Sequence, residues 1–387
     1  MRNEDSLTVV RNNQRVGDPC KQTMVKKIRR TLIWIVGTGN VLIVIGLLLS
    51  AYSDRLHPES FPLLSLSGLL FPVALVATIA LMLVWLLFYW RGAIISIVAL
   101  LLSLPAIRLY YPINRTQEVP GDVVKVMSYN VLMFAPWNLE DNEPNPQVDY
   151  ILGQDADIVC LQESSSAETR GENPYVQFKK RYPYIYVTKK KSGEWMSLLS
   201  KYPILSADTI PLKSHSSMAM GYVLKIGDEK TFLVNCHLQS VGLSVEEKGD
   251  FKRMVENQMN DVEAKSATRS LLRKLRDATV LRASEAESVA EVIASHREKG
   301  YGVIVCGDFN DTPISYAHRT IAAGLTDCYV AAGNGAGYSY QQNGMNVRID
   351  NILCSNDWTP VSASVDKEVD TSDHFPVVCC IKKQPKE

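Results

Sequence analysis

Three apolar blocks followed by a series of strand-sized runs divide the chain. Leu32 to Ala51 is uncharged over 20 residues, which at 1.5 Å per residue matches the roughly 30 Å hydrocarbon core of a bilayer. Phe61 to Trp90 is a second uncharged stretch of 30 residues, interrupted by Pro62 and Pro72. Gly92 to Ile107 is a third, of 16 residues, carrying Pro105. The first two blocks lack the polar residues that buried core helices keep, so the pattern predicts a transmembrane region over 32–107 with about three helices. A secretory leader fits poorly, because no small-x-small cleavage site follows clearly and two more apolar blocks come next.

Beyond a short linker, 108–122, the pattern changes. VVKVMSYNV at 123–131, DIVCLQE at 157–163, SLLS at 197–200, FLVNCHL at 232–238, GVIVCGDFN at 302–310, VRIDNILC at 347–354 and HFPVVCCI at 374–381 are β-branched or apolar runs. The clearest helical stretch between them is Glu285 to His296, with Ala286, Val289, Ala290 and Ile293 at helical spacing. Short strands with interspersed helices predict one α/β or α+β domain with sheet-on-sheet packing. No internal repeat is present.

Composition changes the picture only once it is divided. The 387 residues hold 41 Lys+Arg against 41 Asp+Glu, with a pI near 7.0 and a mean hydropathy of −0.03. That average excludes collagen-like, disordered and disulfide-dense classes. Residues 1–31, however, carry eight Lys/Arg and three acids, whereas 108–387 carry 31 and 36. The zero is a balance between a basic leader and an acidic domain. Lys26 to Arg30 borders the first apolar block and the loop 52–60 offers only Arg55, so the positive-inside rule places the N-terminus in the cytoplasm. Three crossings put the domain after Ile107 outside the cytoplasm; a third block that only dips into the bilayer leaves it inside. Cys160, Cys236, Cys306, Cys379 and Cys380 sit in apolar runs, where thiols act as small buried hydrophobes. A disulfide involving Cys328 or Cys354 stays open.

Candidate chemistry stands at the strand ends. Asn130 follows VMSY, Glu163 follows VCLQ, His237 follows LVNC, Asp308 and Asn310 follow VIVCG, Asp350 follows VRI, and Asp373-His374 precede FPVV. Any one of these is an ordinary turn or cap residue. Together they form an oxygen-rich set that selects hard cations such as Mg²⁺, Mn²⁺ or Ca²⁺, with histidines beside carboxylates for proton transfer. Such a set suits metal-assisted attack of water on a phosphoester.

Three features lie outside this set. Lys265, Arg269, Arg273 and Arg276 form a basic helical stripe within the polar insertion 244–282, a solvated face or a steering surface for a polyanion or anionic lipid. Arg282 is expected instead at the edge of the domain, where a phosphoester would sit. GNGAGYS at 333–339 is no P-loop, since no Gly-Lys-Ser/Thr follows, and reads as a flexible loop near the site. Trp195 is expected to cover the sandwich edge.

The motifs SYN, LQE, NCHL, GDFN-x-TP, RIDNIL and SDHFPV, in this order over 123–382, resemble the endonuclease/exonuclease/phosphatase superfamily. Pancreatic-type deoxyribonuclease, abasic endonucleases, neutral sphingomyelinases and inositol polyphosphate phosphatases are its members. The resemblance implies an α+β fold, a four-layer αββα sandwich over 123–383 with the site at one edge. It makes Glu163 the principal metal carboxylate and Asn130 its neighbour, holding phosphate or metal-bound water. It makes Asp373 the carboxylate completing the metal site. Asp308 would orient the attacking water, and Asn310 would contact the phosphate. His374 would act as base or polarise the phosphoryl oxygen, with Asp350 fixing its tautomer, and His237 would touch phosphate or protonate the leaving group.

The expected protein is a membrane-anchored, divalent-metal-dependent phosphoesterase, nuclease-like, multi-pass, with the bilayer and a phosphoester as its partners and no obligate protein partner. A lipid phosphodiesterase or inositol-phosphate phosphatase is the alternative, and the substrate stays open among nucleic acid, lipid headgroup and soluble ester. A retired scaffold is disfavoured because the carboxylate set is complete. Transport is disfavoured because the apolar blocks hold no ionisable residue.

Overall fold

A computed structural model describes residues 19–385 apart from 141–142, 168–172, 257, 343 and 370. The first eighteen residues of the basic leader 1–31 therefore lie outside the described residues. The apolar region folds as helices α1 (Pro19–Ala51), α2 (Pro62–Ser65), α3 (Phe71–Phe88), α4 (Trp90–Leu102) and α5 (Leu104–Tyr110). Single 3₁₀ turns occupy Ser53–Arg55 and Leu66–Leu70. Two stretches, Lys27–Ala51 and Pro62–Phe88, are long and apolar enough to cross a membrane.

The third apolar block differs from the expectation of one helix and a linker from residue 108. It is two helices that meet at 59°. Pro105 explains the break, since its ring cannot continue α4 but fits the first turn of α5. The helix runs to Tyr110, so the linker starts at Tyr111. Near its start this block is tied to the middle of α1, where buried Ser96 Oγ donates to Asn40 Oδ1 at 2.9 Å. At its end Tyr110 packs with Ala51, Phe71 and Ile314. The turn after α1 and the end of α5 thus meet the C-terminal domain at the same end of the bundle.

That domain comprises β1 (Val123–Asn130), α6 (Pro146–Gln154), β2 (Ile158–Gln162), α7 (Pro174–Phe178), β3 (Tyr184–Lys189) and β4 (Trp195–Ser200) in its first part. The chain continues through β5 (Ile204–Thr209), β6 (Met218–Ile226), β7 (Glu229–His237), α8 (Val245–Val255), α9 (Asp261–Glu298) and β8 (Gly302–Asp308). It closes with α10 (Tyr316–Ile321), β9 (Thr326–Asp327), α11 (Cys328–Ala332), β10 (Tyr340–Gln342), β11 (Met345–Val347), β12 (Asp350–Cys354), β13 (Trp358–Val365) and β14 (Val377–Lys383). One sheet has the order β13-β14-β1-β2-β4-β3 and the other β5-β6-β7-β8-β12-β9. Each is antiparallel except for one central parallel pair, β1 with β2 and β7 with β8.

The central strands are buried on both faces, as their near-continuous apolar sequences require. Val126, Ile158, Leu198, Met220, Leu233 and Ile304 fill the space between the sheets. Phe232, Val234 and Val305 face Ala286, Val289 and Ile293 of α9 on one outer side. Met127, Val159 and Leu161 face Val148, Ile151 and Phe178 of α6 and α7 on the other. The result is the four-layer αββα sandwich.

Four local expectations are corrected. The strand at 197–200 begins at Trp195, which lies at the hairpin edge with Lys189 Nζ 5.0 Å from its ring centroid. The run 347–354 is broken at Arg348–Ile349, where the chain passes from the β10–β11 hairpin into the second sheet. The last strand begins at Val377, after Pro376, which has no N–H for the ladder. The 333–339 segment is a packed loop. Its Gly335 N–H donates to Pro112 O at 2.9 Å, and the Asn114 N–H donates to Asn334 Oδ1 at 2.6 Å, so it clasps the linker.

Candidate active site

The two parallel pairs end side by side. Asn130 and Glu163 come from β1 and the residue after β2, while His237 and Asp308 face each other in register at the ends of β7 and β8. Asp350 opens β12 directly opposite Asp308. Gly307 makes the approach possible. Its φ is +151° and a Cβ there would lie 1.9 Å from Cys236 O, so any side chain would push β8 off β7 and displace Asp308. Glu163 and Asn310 adopt left-handed backbone, φ +49° and +51°. Non-glycine residues take this conformation at a cost that the surrounding contacts must offset.

Asp308 is the hub. Its Oδ1 accepts from the Asn310 N–H at 2.8 Å and its Oδ2 from Asn130 Nδ2 at 3.2 Å. His237 Nε2 and His374 Nε2 stand 3.7 and 3.6 Å from the same Oδ2. Asn130 Nδ2 also reaches Glu163 Oε1 at 3.1 Å, so the amide spans the two carboxylates from different sheets. Its Oδ1 accepts from the Leu132 N–H. Burial and neighbouring Asp350 push the Asp308 carboxyl up to about 6, against the pull of His374 and His237.

Both histidines are held by carboxylates. Asp350 Oδ2 lies 2.8 Å from His374 Nδ1, and Glu194 Oε1 lies 2.8 Å from His237 Nδ1. Burial opposes protonation of both rings. Glu194, with Asp308 and Glu163, outweighs it at His237, and Asp350 with Asp308 outweighs it at His374, so each is pushed up to about 10. With Nδ1 of each ring turned to its carboxylate, the Nε2 edges face Asp308.

These groups floor a cavity of about 340 Å³ lined by Glu163, His237, Asp308, Asn310, Asp373 and His374, with Lys248, Arg282 and several aliphatic side chains around them. Every residue of the strand-end set reaches this neighbourhood. Asp350 and Asn130 stand behind it, and Asp373 faces Lys248 Nζ at 3.6 Å. Arg282 is buried beside it, with Nε 3.1 Å from Asp311 Oδ2 and Nη1 donating to Gln239 O at 2.9 Å.

The donor chemistry fits a hard divalent cation. Asp308, Asp350 and His374 offer ligand atoms within 4.8 Å of one another, a trio that differs from the Glu163, Asn130 and Asp373 set expected from the sequence, and Asp350 Oδ1 is buried without a hydrogen-bond partner. Among the described residues no thiol lines the cavity. The carboxylates in and behind it are a surplus of negative charge that a cation would neutralise.

Several contributors escaped the motifs. Glu194 sits in a hairpin whose sequence, KSGEWMS, carries no spacing signal. Lys248 belongs to the polar insertion, on α8, and reaches across to Asp373. Gln162 Nε2 donates to Asn235 Oδ1 at 2.7 Å between the sheets, one residue before Glu163 and two before His237 in sequence. Both lie inside the LQE and NCHL motifs, so the signal was present but unassigned. Ser372 Oγ donates to Asn130 O at 2.8 Å and accepts from the His374 N–H, which joins the last motif to the first.

The sequence profile of the endonuclease/exonuclease/phosphatase family matches residues 127–374, from inside β1 to the histidine of the floor. The chain belongs to this family. A second profile, of a domain of unknown function, matches residues 30–110. No curated protein matches the chain. Among solved structures, truncated TDP2 of Caenorhabditis elegans aligns at 17% identity, with 69% of this chain and 100% of that one covered and a TM-score of 0.47. The human Nocturnin catalytic domain with bound sulfate aligns at 16%, over 69% and 97%, with a TM-score of 0.49. An endonuclease/exonuclease/phosphatase of Beutenbergia cavernae aligns at 15%, over 68% and 72%, with a TM-score of 0.47. As a family member the protein is a metal-dependent hydrolase acting on phosphoester bonds.

Proposed function

We propose that the protein is a membrane-anchored phosphodiesterase, with nuclease-like chemistry, that uses Mg²⁺ or Mn²⁺ at the strand-end floor. The observation that carries this reading is the convergence of Glu163, His237, Asp308 and His374 in one 340 Å³ cavity with Asn130 behind them, both histidines oriented by carboxylates. Glu163, Asn130 and Asp373 would hold the cation, beside the close trio Asp308, Asp350 and His374. When bound, it supplies positive charge to a phosphoryl oxygen.

The chain's own groups account for the rest. Asp308, flanked by Asn130 and the Asn310 N–H, orients a water and takes its proton as the oxygen attacks phosphorus. The Nε2–H groups of His374 and His237 donate to the phosphoryl oxygens. His237 then gives a proton to the leaving oxygen as the P–O bond breaks, and Asn310 steadies the phosphate. Protons and charge balance over the step.

Three passages of the bilayer, at α1, α2–α3 and α4–α5, with the N-terminus cytoplasmic, put the catalytic domain on the extracytoplasmic side. Two features support this. Lys26, Lys27, Arg29 and Arg30 stand at the start of α1, and the end of α5 lies beside the turn after α1. Protease protection in sealed cells tests it: cleavage of the domain in intact cells is the expected result, and cleavage only after permeabilisation contradicts it. A panel of DNA, RNA, sphingomyelin and phosphoinositides, with and without Mg²⁺, tests the chemistry. Metal-dependent turnover of at least one is expected, and none by the full-length chain contradicts the reading.

A further inference from the structure

The cavity's floor is polar, but its wall is not. Leu132, Leu243, Leu275, Met345 and Val347 are among the apolar side chains that line it, and one more, Leu69, does not belong to the catalytic domain. Leu69 sits on the 3₁₀ turn Leu66–Leu70, near the start of Pro62–Phe88, the second of the two apolar stretches long enough to cross a membrane. The contact is close. A Cβ on Gly68 would lie 2.3 Å from Ile314 O, so the turn is pressed against the loop that follows GDFN. Around it Phe61, Leu63 and Leu70 are 49%, 62% and 62% exposed, as expected where a helical hairpin meets a bilayer.

The fixed cations of the cavity are few. Arg282 is committed to Asp311, Gln239 and Thr279, and Lys248 faces Asp373. A groove for a polynucleotide needs several free cations along its length. An aliphatic wall continuous with a membrane turn needs a different ligand. We infer that the substrate is a phosphoester bearing an aliphatic chain, drawn from the bilayer, with its phosphate over Asp308 and its chain along the wall that Leu69 completes. Leu69 is then a specificity-determining residue supplied from outside the family domain. This rests on the phosphodiesterase reading and adds the substrate class to it.

The test uses the full-length chain in phospholipid nanodiscs with Mg²⁺ and a series of p-nitrophenyl alkyl phosphodiesters, methyl to octyl. Turnover and binding are both measured. We expect kcat/KM to rise roughly fourfold per methylene over the first few carbons, with the change in KM, because the chain is held equally before and during reaction. Leu69→Ser and, at a second position of the wall, Leu275→Ser should each lower kcat/KM for the octyl ester roughly tenfold or more. Exposed Leu205→Ser, on β5, should leave the series unchanged. A flat series, a series that survives both wall substitutions and so reports only partition into the disc, or faster turnover of thymidine 5′-p-nitrophenyl phosphate than of the octyl ester would each overturn the lipid assignment. A chain-length slope in binding without any turnover would keep the wall and sink the phosphodiesterase.

Discussion

On the floor of the cavity, titratable groups from two sheets are tied to one another: Glu194 to His237, Asp350 to His374, and Asn130 to both Glu163 and Asp308. On the wall, carbon side chains are arranged without a single directional bond, and one of them arrives from a hairpin outside the domain. The floor is precise because reacting atoms must be placed within a fraction of an ångström. The wall is only apolar and adjacent because burial has no direction. Substitutions should therefore act on chemistry in one region and on selection or docking in the other.

The largest expected effect is on the floor. Asp308→Asn should lower kcat by about 10³-fold or more with the thermal transition preserved, measured by steady-state hydrolysis beside circular dichroism. The next is structural and lies behind the wall. His318, on α10, pairs with buried Asp327 at 3.1 Å. Burial would raise the Asp327 carboxyl, but this hydrogen bond and the nearby Arg348 hold it below its usual range. Its contribution to stability is present above about pH 4 and lost as the pH falls below that. His318→Ala should cost about 3 kcal/mol at neutral pH, and chemical denaturation at pH 7 and pH 3 should show the deficit shrinking with acid.

Glu194→Gln should lower kcat by about 10- to 100-fold, because His237 loses the carboxylate that orients it, a loss typical of supporting-shell substitutions. An unchanged kcat would remove Glu194 from the floor. The smallest effect is at the docking surface. Arg319, on the same helix as His318, meets Asp54 of the turn after α1 at 3.2 Å, and the arginine is half-exposed. Arg319→Ala should cost under about 1 kcal/mol. A loss of several kcal/mol there would mean that the turn docks through charge rather than through Leu69, Gly68 and Ile314.

The two regions also differ in how far the sequence exposed them. The floor was legible because Asn130, Glu163, His237, Asp308 and Asp350 stand beside identifiable apolar runs, where the change from apolar to polar marks the strand end. The supporting Glu194 was not, because a hairpin tip can hold an acid for solvation alone. Lys248 was hidden for a similar reason, being one cation among many in a polar helix. The long apolar stretches were legible from length, but the break in the third had to be resolved by the placement of Pro105. The wall was invisible. Leu69 is one apolar residue in an apolar block, and only the docking of the turn on Ile314 gives it a position in the site.

Hydrolysis of bis(p-nitrophenyl) phosphate by the full-length protein, with Mg²⁺ and after chelation, beside Asp308→Asn and His374→Ala, tests the central claim most directly. The account predicts turnover that needs the cation and disappears in both folded variants. Undiminished hydrolysis by either variant, or none by the wild-type protein across divalent metals, would contradict it.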